Sequence, residues 1–212
     1  IACKPAIEQR LSVLHADGTA YVESAQACGL HLVDHRDPMR ATTVGVGLAI
    51  AAAVDAGARR VVVGLGGSAT NDGGAALRVD EAEWPGLLAA LGATADVPLD
   101  AGPAALAGVT SVDLTALLRR LDEVELVIAA DVDVTLLGMF GATKTFGPQK
   151  GLTDEQIIAV DGWLDRLVVA TCGSTPAERR VADAPGAGAA GGLGFALQLL
   201  GGTVVSGIGL VA

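Results

Sequence analysis

The chain has 212 residues, of which 51% are hydrophobic and 3% aromatic, and its formal net charge is −10. This length is enough for one large domain with a buried core, and the apolar composition argues against a disordered chain. The acidic balance argues against nucleic-acid binding, which needs a basic surface.

Strand and helix signals alternate from the beginning of the chain. Asp17-Gly18, flanked by residues 11–14 and 19–23, predicts a β-hairpin. Residues 43–56 are rich in alanine and end at Gly57, which predicts a helix with a glycine stop.

Two apolar runs predict buried strands. Residues 59–64 (RRVVVG) lead into a glycine-rich loop, and residues 125–131 (ELVIAAD) form the second run. Between them a helical pattern resumes after Gly74, is interrupted at Pro85, and gives way to a loop over residues 96–109.

Three helices are predicted in the second half. One has a face formed by Leu114, Leu117, Leu118 and Leu121. Thr153 and Gln156 form a capping-box pattern before the next helix, and the last helix begins near Gly192 and stops at Gly201. The alternation of strands and helices predicts an α/β fold, and we expect a single domain over residues 1–212.

The number and spacing of the cysteines indicate the redox compartment of the protein. Cys3, Cys28 and Cys172 are odd in number and scattered, which favours a reducing cytoplasm over a disulfide scaffold. The longest apolar run, residues 44–54, is too short to cross a bilayer, so we expect no membrane partner. The sequence opens on Ile1 instead of methionine, which suggests a fragment of a longer chain.

The first candidate site is the loop at residues 64–74, GLGGSATNDGG. Loop amides and a following helix N-terminus would favour an anion, and Ser68, Thr70 and Asn71 add polar donors. Asp72 could orient a magnesium ion or accept a proton. The alternative is a tight strand-to-helix connection with capping residues, and from the loop alone this alternative is favoured.

Two known anion-loop patterns can be compared with this segment. It has no lysine, so it is not a Walker loop. Gly64, Gly66 and Ala69 satisfy the permissive dinucleotide pattern Gly-x-Gly-x-x-Gly/Ala, but a polar turn follows, and the acidic residue expected about twenty positions on is absent. A nicotinamide-dependent oxidoreductase is therefore a less favoured alternative.

The second candidate is residues 141–151, GATKTFGPQKG, which carry Lys144 and Lys150, two of the three lysines in the chain. Lysine suits phosphate as a point charge, and Gln149 can bind a hydroxyl group. We expect Phe146-Gly147-Pro148 to fix a turn here. The alternative is a pair of solvated surface lysines.

The third candidate is residues 185–194, PGAGAAGGLG, in which Gly186, Gly188 and Gly191 have Gly-x-Gly-x-x-Gly spacing. No buried strand precedes them, so the nucleotide fingerprint is not met. The glycines allow close backbone approach, either to a ligand or to a neighbouring helix, and packing is the favoured alternative. Separately, Asp131 ends an apolar strand, where ligands collect in α/β sheets, although it could equally cap a turn.

Taken together, the three segments resemble the glycerate kinase family, two-domain bacterial enzymes that phosphorylate D-glycerate with ATP. The matching blocks are GGSATNDGG at residues 66–74, GAxxxFGPQKG at residues 141–151 and GAGAAGGLG at residues 186–194. The stretches ESAQACGLHLV and DPMRATTVGVG are also similar to the family. The resemblance identifies the chain as a member over almost its whole length.

The chain departs from the family in two respects. Family members carry an earlier Ala-Asp-Gly-Gly-Glu-Gly-Thr segment and a later Gly-Glu-Gly segment, and neither is present here. Val134-Thr135 stands where members usually carry Asn-Pro. In such enzymes the chain ends build a Rossmann-like domain and the middle forms an inserted α/β domain. The resemblance therefore implies the inserted domain, with the halves of the Rossmann-like domain largely absent.

The resemblance implies transfer of the ATP γ-phosphate to D-glycerate with Mg²⁺, and we expect 2-phosphoglycerate in preference to 3-phosphoglycerate. Asp72, Asp131 and Lys150 are the expected catalytic residues, and Asp72 and Asp131 the expected magnesium ligands. The expected substrate- or phosphate-binding residues are Gly66, Gly67, Ser68, Thr70, Asn71, Gly73, Lys144, Phe146, Gly147, Gln149, Gly186, Gly188 and Gly191.

Two further expectations concern activity and assembly. If residues 1–212 are the whole chain, we expect little turnover because half of the cleft would be missing. A binding domain for small acids that has lost catalysis is the alternative, supported by Val134-Thr135. A homodimer is one compatible assembly.

Overall fold

A five-stranded sheet lies at the centre of the computed structural model, which describes residues 14–75, 87–97 and 103–207. Its strands are β1 (Leu14–Ala16), β2 (Thr19–Glu23), β3 (Arg60–Gly64), β6 (Glu125–Ala129) and β7 (Thr203–Val205). The order is β1-β2-β3-β6-β7, and all neighbours are parallel except β1 and β2. A separate antiparallel pair consists of β4 (Thr94–Ala95) and β5 (Val112–Asp113).

Seven α-helices are found among the described residues. They are α1 (Ser24–Cys28), α2 (Val44–Asp55), α3 (Leu87–Ala90), α4 (Thr115–Leu121), α5 (Ala142–Lys150), α6 (Asp154–Cys172) and α7 (Leu193–Leu199). Helix α2 packs on β2 and α3, and α7 packs on β6. The parallel sheet with its helices confirms the predicted α/β class. The assignment of residues 1–212 to one domain stays a prediction.

The predicted hairpin is present where the chain is described. Asp17 and Gly18 both have positive φ, at 52° and 81°, and they join β1 to β2 in antiparallel register. Such left-handed pairs match the twist of the strands they connect. The part of the prediction at residues 11–13 lies outside the described residues.

The central strands are continuous apolar runs, as expected for parallel strands buried on both faces. Val61 to Val63 and Leu126 to Ile128 are all buried. Helix α2 is buried along most of its length, and the chain leaves it through Gly57 at φ +91°. The predictions for β3, β6 and α2 are therefore confirmed.

The three helices predicted in the second half are present, with one difference in burial. The face expected from four leucines is only partly buried, because Leu117 and Leu121 are in the core while Leu118 is 45% exposed. The Thr153–Gln156 capping box at the start of α6 is confirmed, as is the glycine-flanked helix α7. The helical pattern after Gly74 falls on residues 76–86, outside the described residues.

The second glycine segment forms a helix, and the turn predicted at Phe146-Gly147-Pro148 lies inside it. Helix α5 begins after Gly141, which has extended backbone, and ends at Gly151, whose φ is +99°. Pro148 lacks the N–H that would bond one turn back, but it lies in the last turn, where Gly151 closes the helix through bonds to the Gly147 and Pro148 carbonyls. Gly141 and Gly151 thus flank this helix, and Pro148 lies in its last turn.

The parallel strands bring their carboxyl ends to one edge of the sheet. Glu23, Gly64 and Ala129 are the last residues of adjacent strands and are paired in register. The glycine-rich loop after β3 and Asp131 after β6 therefore start from the edge where α/β sheets bind ligands. Among the described residues, none of the helices combines the length and apolar character needed to span a bilayer.

Candidate functional site

A cavity of about 100 Å³ lies where the three glycine segments meet. We call it the lysine cavity. Val132 completes the lining, and its other lining residues come from those segments: Leu65, Gly66, Gly67, Ser68, Phe146, Gln149, Lys150 and Ala190. The tertiary structure therefore brings residues from all three predicted segments to one cavity.

Lys150 is the cation of this cavity. It sits in the last turn of α5 and is only 3% exposed. Its Nζ donates to the Thr70 carbonyl at 2.6 Å and to Ser68 Oγ at 3.2 Å. These bonds fasten helix α5 to the loop that follows β3.

Burial lowers the pKa of Lys150 from 10.5 to about 8. Nearby Cys28 and Asp72 act in the opposite direction, because negative charge on either favours the ammonium form. At neutral pH the side chain is therefore mainly charged. The cavity offers an anion a desolvated positive charge, where electrostatic attraction is stronger than in water.

Glycine is needed at position 191 to bring the third segment against this lysine. A Cβ at Gly191 would lie 1.9 Å from the Thr70 oxygen and 3.0 Å from Lys150 Nζ, and its φ is +71°. Thr70 Oγ1 donates to the Ala190 carbonyl at 3.2 Å. Ala190 itself has φ +51°, an unusual conformation for a residue with a side chain, in the wall of the cavity.

The other glycines of the third segment pack on protein. Gly188 donates its N–H to the Val134 carbonyl, and a Cβ there would lie 2.3 Å from the Thr135 oxygen. Gly186, with φ +80°, faces Val132 and Val204. The packing alternative describes these contacts, and neither glycine lines the lysine cavity.

Asp72 is fully buried and serves as an acceptor for backbone and side-chain donors. Its Oδ2 accepts from Thr43 N at 2.9 Å and from Thr43 Oγ1 at 3.0 Å, and its Oδ1 accepts from Gly74 N at 3.2 Å. The carboxylate thus fixes the loop to the residue that precedes α2. The expected role of Asp72 as a base or magnesium ligand stays a prediction.

Asn71 and Gly73 are buried and do not line the lysine cavity. Asn71 is fully buried, and within the described residues neither polar atom of its amide has a hydrogen-bond partner. Gly73 has φ +63° and donates its N–H to the Gly191 carbonyl at 3.1 Å. The first and third segments are therefore joined backbone to backbone.

Two members of the second segment point elsewhere. Lys144 Nζ donates to the Gly138 carbonyl at 2.9 Å and to Asp161 on α6, with which it forms an ion pair. Gly147 is buried, and a Cβ there would lie 3.0 Å from Leu152 Cδ1. Lys150 lines the lysine cavity and Lys144 does not, so the expected role of Lys144 in phosphate binding stays a prediction.

A larger cavity of about 350 Å³ adjoins the lysine cavity and shares Leu65 and Gly66 with it. We call it the aspartate cavity. Asp131 lines it and accepts hydrogen bonds at Oδ1 from Ser206 Oγ and from Gly207 N, both at 2.9 Å. Its volume falls within the range of small-molecule sites.

Glu23 is a lining residue that the sequence patterns did not single out. It ends β2, and its Oε1 accepts from Ala25 N at 3.1 Å. A Cβ at Gly64 would lie 2.7 Å from Glu23 Oε2, so the glycine leaves room for the carboxylate over β3. The available signal was its position at a strand end, the same signal that marked Asp131.

The two predicted magnesium ligands are not brought into one cavity. Asp131 lines the aspartate cavity, whereas Asp72 lines neither cavity. Over the described ranges, no three His, Cys, Asp or Glu side chains are grouped to hold a metal ion.

Comparison with known proteins gives matches over most of the chain. The model of the glycerate kinase family matches residues 3–212. The chain is 43% identical to glycerate kinase of Bacillus subtilis strain 168, over 84% of this chain and 45% of the relative. It is 38% identical to glycerate 2-kinase of Escherichia coli K12, over 93% of this chain and 51% of the relative.

A solved structure gives the same result for the fold. A crystal structure described as a candidate glycerate kinase 2 from Salmonella typhimurium LT2 aligns with a TM-score of 0.79 at 37% identity. The alignment covers 91% of this chain and 50% of that one. The chain thus spans about half the length of the relatives it matches, and over that span it belongs to the glycerate kinase family.

Proposed function

We propose that this chain provides the acid-binding and phosphoryl-transfer surfaces of an ATP-dependent glycerate kinase. The observation that carries the proposal is the convergence of the three glycine segments on the buried cation Lys150. Family membership supports the same reaction. D-glycerate would be the acceptor, and its phosphoryl group would come from ATP.

The residues of the two cavities suit phosphoryl transfer, which depends on alignment and charge neutralisation more than on covalent catalysis. Gly66 belongs to the wall that the two cavities share, and Gly67 lines the lysine cavity beside it; neither has a Cβ, so a ligand can approach their backbone closely. Lys150 supplies positive charge on one side of that wall. We propose that the acceptor hydroxyl oxygen and the γ-phosphorus of ATP meet along this shared wall.

Magnesium would be held in the aspartate cavity, where the donors fit its preference for oxygen. Asp131 uses Oδ1 for both of its hydrogen bonds, and among the described residues Oδ2 has no donor. Glu23 offers a second carboxylate in the same cavity. When bound, the ion would neutralise the nucleotide phosphates, which commonly complete its coordination alongside one or two carboxylates. Asp72 has no part in this proposal because its oxygens are buried and bonded.

We propose 2-phosphoglycerate as the product. The support is that the Escherichia coli relative is a glycerate 2-kinase. The product can be distinguished directly, because enolase consumes 2-phosphoglycerate and requires a mutase before it can use 3-phosphoglycerate.

The test is a coupled assay with D-glycerate, ATP and Mg²⁺ that follows ADP release, made on the full-length natural protein because this chain spans about half the length of its relatives. We expect ATP consumption that depends on D-glycerate, and product that enolase accepts without a mutase. Lys150→Met should lower kcat/KM by about 100-fold, the usual loss for one buried electrostatic donor. The matched control is Arg120→Gln, which removes a surface cation paired with Asp55 and should change the rate less than about twofold.

The alternatives give different results in the same experiment. A binding domain without catalysis would bind D-glycerate and release no ADP. A nicotinamide-dependent oxidoreductase would change the absorbance of its cofactor without consuming ATP. Either outcome would contradict the proposed kinase reaction for this chain.

A further inference from the structure

The two adjoining cavities differ in charge. Among the residues that line the lysine cavity, Lys150 is the single ionisable one. The aspartate cavity is lined instead by two carboxylates, Glu23 and Asp131. A carboxylate ligand without a metal would be attracted to the first cavity and repelled by the second.

The hydrogen-bond donors of the lysine cavity fit a small hydroxy acid. An ammonium group has three donors, and Lys150 directs two of them to Thr70 and Ser68. The third remains for a ligand. Ser68 Oγ accepts from Lys150, so its own proton can be donated, and the Gln149 amide is exposed beside it.

The volumes of the two cavities also favour a different substrate for each cavity. The lysine cavity, at about 100 Å³, has room for several water molecules and therefore for a three-carbon acid. A nucleotide needs more space, and the adjoining cavity of about 350 Å³ provides it. Leu65 and Gly66 stand between the two volumes and belong to both.

We propose that Lys150 binds the carboxylate of the acceptor, and that the nucleotide phosphates lie across Leu65 and Gly66 in the aspartate cavity. This inference rests on the proposed function and assigns one cavity to each substrate. Lys150 then determines which acceptors are used, because it selects a carboxylate over an uncharged group. A hydroxyl oxygen of the bound acid attacks the γ-phosphorus of ATP across the shared wall, the bond from that phosphorus to the β,γ-bridging oxygen breaks, ADP leaves, and the hydroxyl proton passes to solvent water.

The test measures binding by isothermal titration with three ligands: D-glycerate, its uncharged amide D-glyceramide, and a non-hydrolysable ATP analogue with Mg²⁺. We expect wild-type protein to prefer D-glycerate over D-glyceramide by about 30-fold, the range for a charged hydrogen bond. In Lys150→Met this preference should fall to within about threefold. The affinity for the nucleotide analogue should change by less than about threefold.

Two further variants keep the test decisive. Asp131→Asn should weaken the Mg²⁺–nucleotide complex about tenfold or more and leave D-glycerate binding nearly unchanged. Gln149→Ala changes an exposed side chain, so it should fold normally, and it should weaken D-glycerate about threefold to tenfold. If Lys150→Met is unfolded by circular dichroism, an unchanged D-glycerate affinity in Gln149→Ala overturns the assignment.

The outcomes separate the inference from the proposed reaction. If Lys150→Met keeps the preference for D-glycerate, or loses nucleotide and acid binding equally, the assignment of the carboxylate to Lys150 is overturned. If the preference disappears as expected but wild-type protein releases no ADP, the assignment stands and the kinase reaction fails.

Discussion

Removing an ammonium group from water is unfavourable, yet Lys150 is buried at the centre of the candidate site. Burial lowers its pKa to about 8, although Cys28 and Asp72 partly offset the effect. Its two bonds to Thr70 and Ser68 replace some of the lost hydration. A surface lysine would have neither the lowered pKa nor the strong attraction for a bound anion.

This lowered pKa makes folding stability depend on pH in a defined window. The pKa is about 8 in the folded protein and 10.5 in the reference state, so between these values the unfolded chain binds more protons. The free energy of unfolding therefore rises as pH increases from about 8 to 10.5, and this gain is lost as pH falls from 10.5 to about 8. The difference between the two pKa values corresponds to about 3 kcal/mol.

The measurement is urea denaturation of wild type and Lys150→Met at pH 7 and pH 10, with the difference between the two proteins taken at each pH. Other titrating groups largely cancel in this difference. We expect wild type to gain about 2 kcal/mol relative to the variant, because pH 10 is not yet above the whole window. Parallel behaviour of both proteins would contradict the buried, lowered pKa.

Glycine substitutions test the close approach of the third segment. Gly191→Ala should lower the free energy of unfolding by more than about 2 kcal/mol, because the new Cβ would overlap the Thr70 oxygen and φ is positive. The matched control is Gly162→Ala in the exposed middle of α6, where nothing lies within 4 Å, and it should stabilise by about 0.5–1 kcal/mol. Equal effects in thermal or urea unfolding would show that segment 185–194 is not tightly packed on Thr70.

At the scale of elements, the helices position the site by how they begin and end. Helix α5 delivers Lys150 in its last turn and is closed by Gly151. Helix α6 begins immediately afterwards at a capping box, and Lys144 on α5 pairs with Asp161 on α6. One lysine thus holds two helices together while the other, six residues later, faces the cavity.

The capping box gives a prediction for α6. Thr153 Oγ1 accepts from Gln156 N at 3.3 Å, and Gln156 Oε1 accepts from Thr153 N at 3.0 Å. Thr153→Ala should therefore cost about 1 kcal/mol in urea unfolding. Thr153→Ser keeps the hydroxyl and should remain within about 0.5 kcal/mol of wild type, and a similar loss in both variants would mean that the hydroxyl does not act as a cap.

At the scale of the whole molecule, the sheet sets where chemistry can occur. Strands β2, β3, β6 and β7 are parallel, so their carboxyl ends meet at one edge. The lysine cavity and the aspartate cavity both open beside that edge, at Leu65 and Gly66. In a chain of net charge −10, the buried cation Lys150 gives the lysine cavity a local attraction for anions.

The position of each strand in the sheet also predicts which backbone amides exchange most slowly. Strands β3 and β6 each have a parallel neighbour on both sides, and their middle residues are buried, while β7 lies at the edge with exposed or half-buried residues. Hydrogen exchange followed by mass spectrometry should find the slowest amides in β3 and β6. Slower exchange in β7 than in β3 would contradict this order of stability.

The sequence by itself determined the α/β class, the two central strands, the capping box and the membership of the family, because these depend on local periodicity and on unbroken blocks of residues. The tertiary structure decided which polar residues share a cavity. Lys150, Ser68 and Ala190 are distant in sequence and meet through packing, whereas Lys144 is turned to Asp161 and Asp72 to Thr43. Spacing along a chain cannot distinguish a buried structural carboxylate from one that faces a ligand, since that difference is made by the neighbours that folding brings to it.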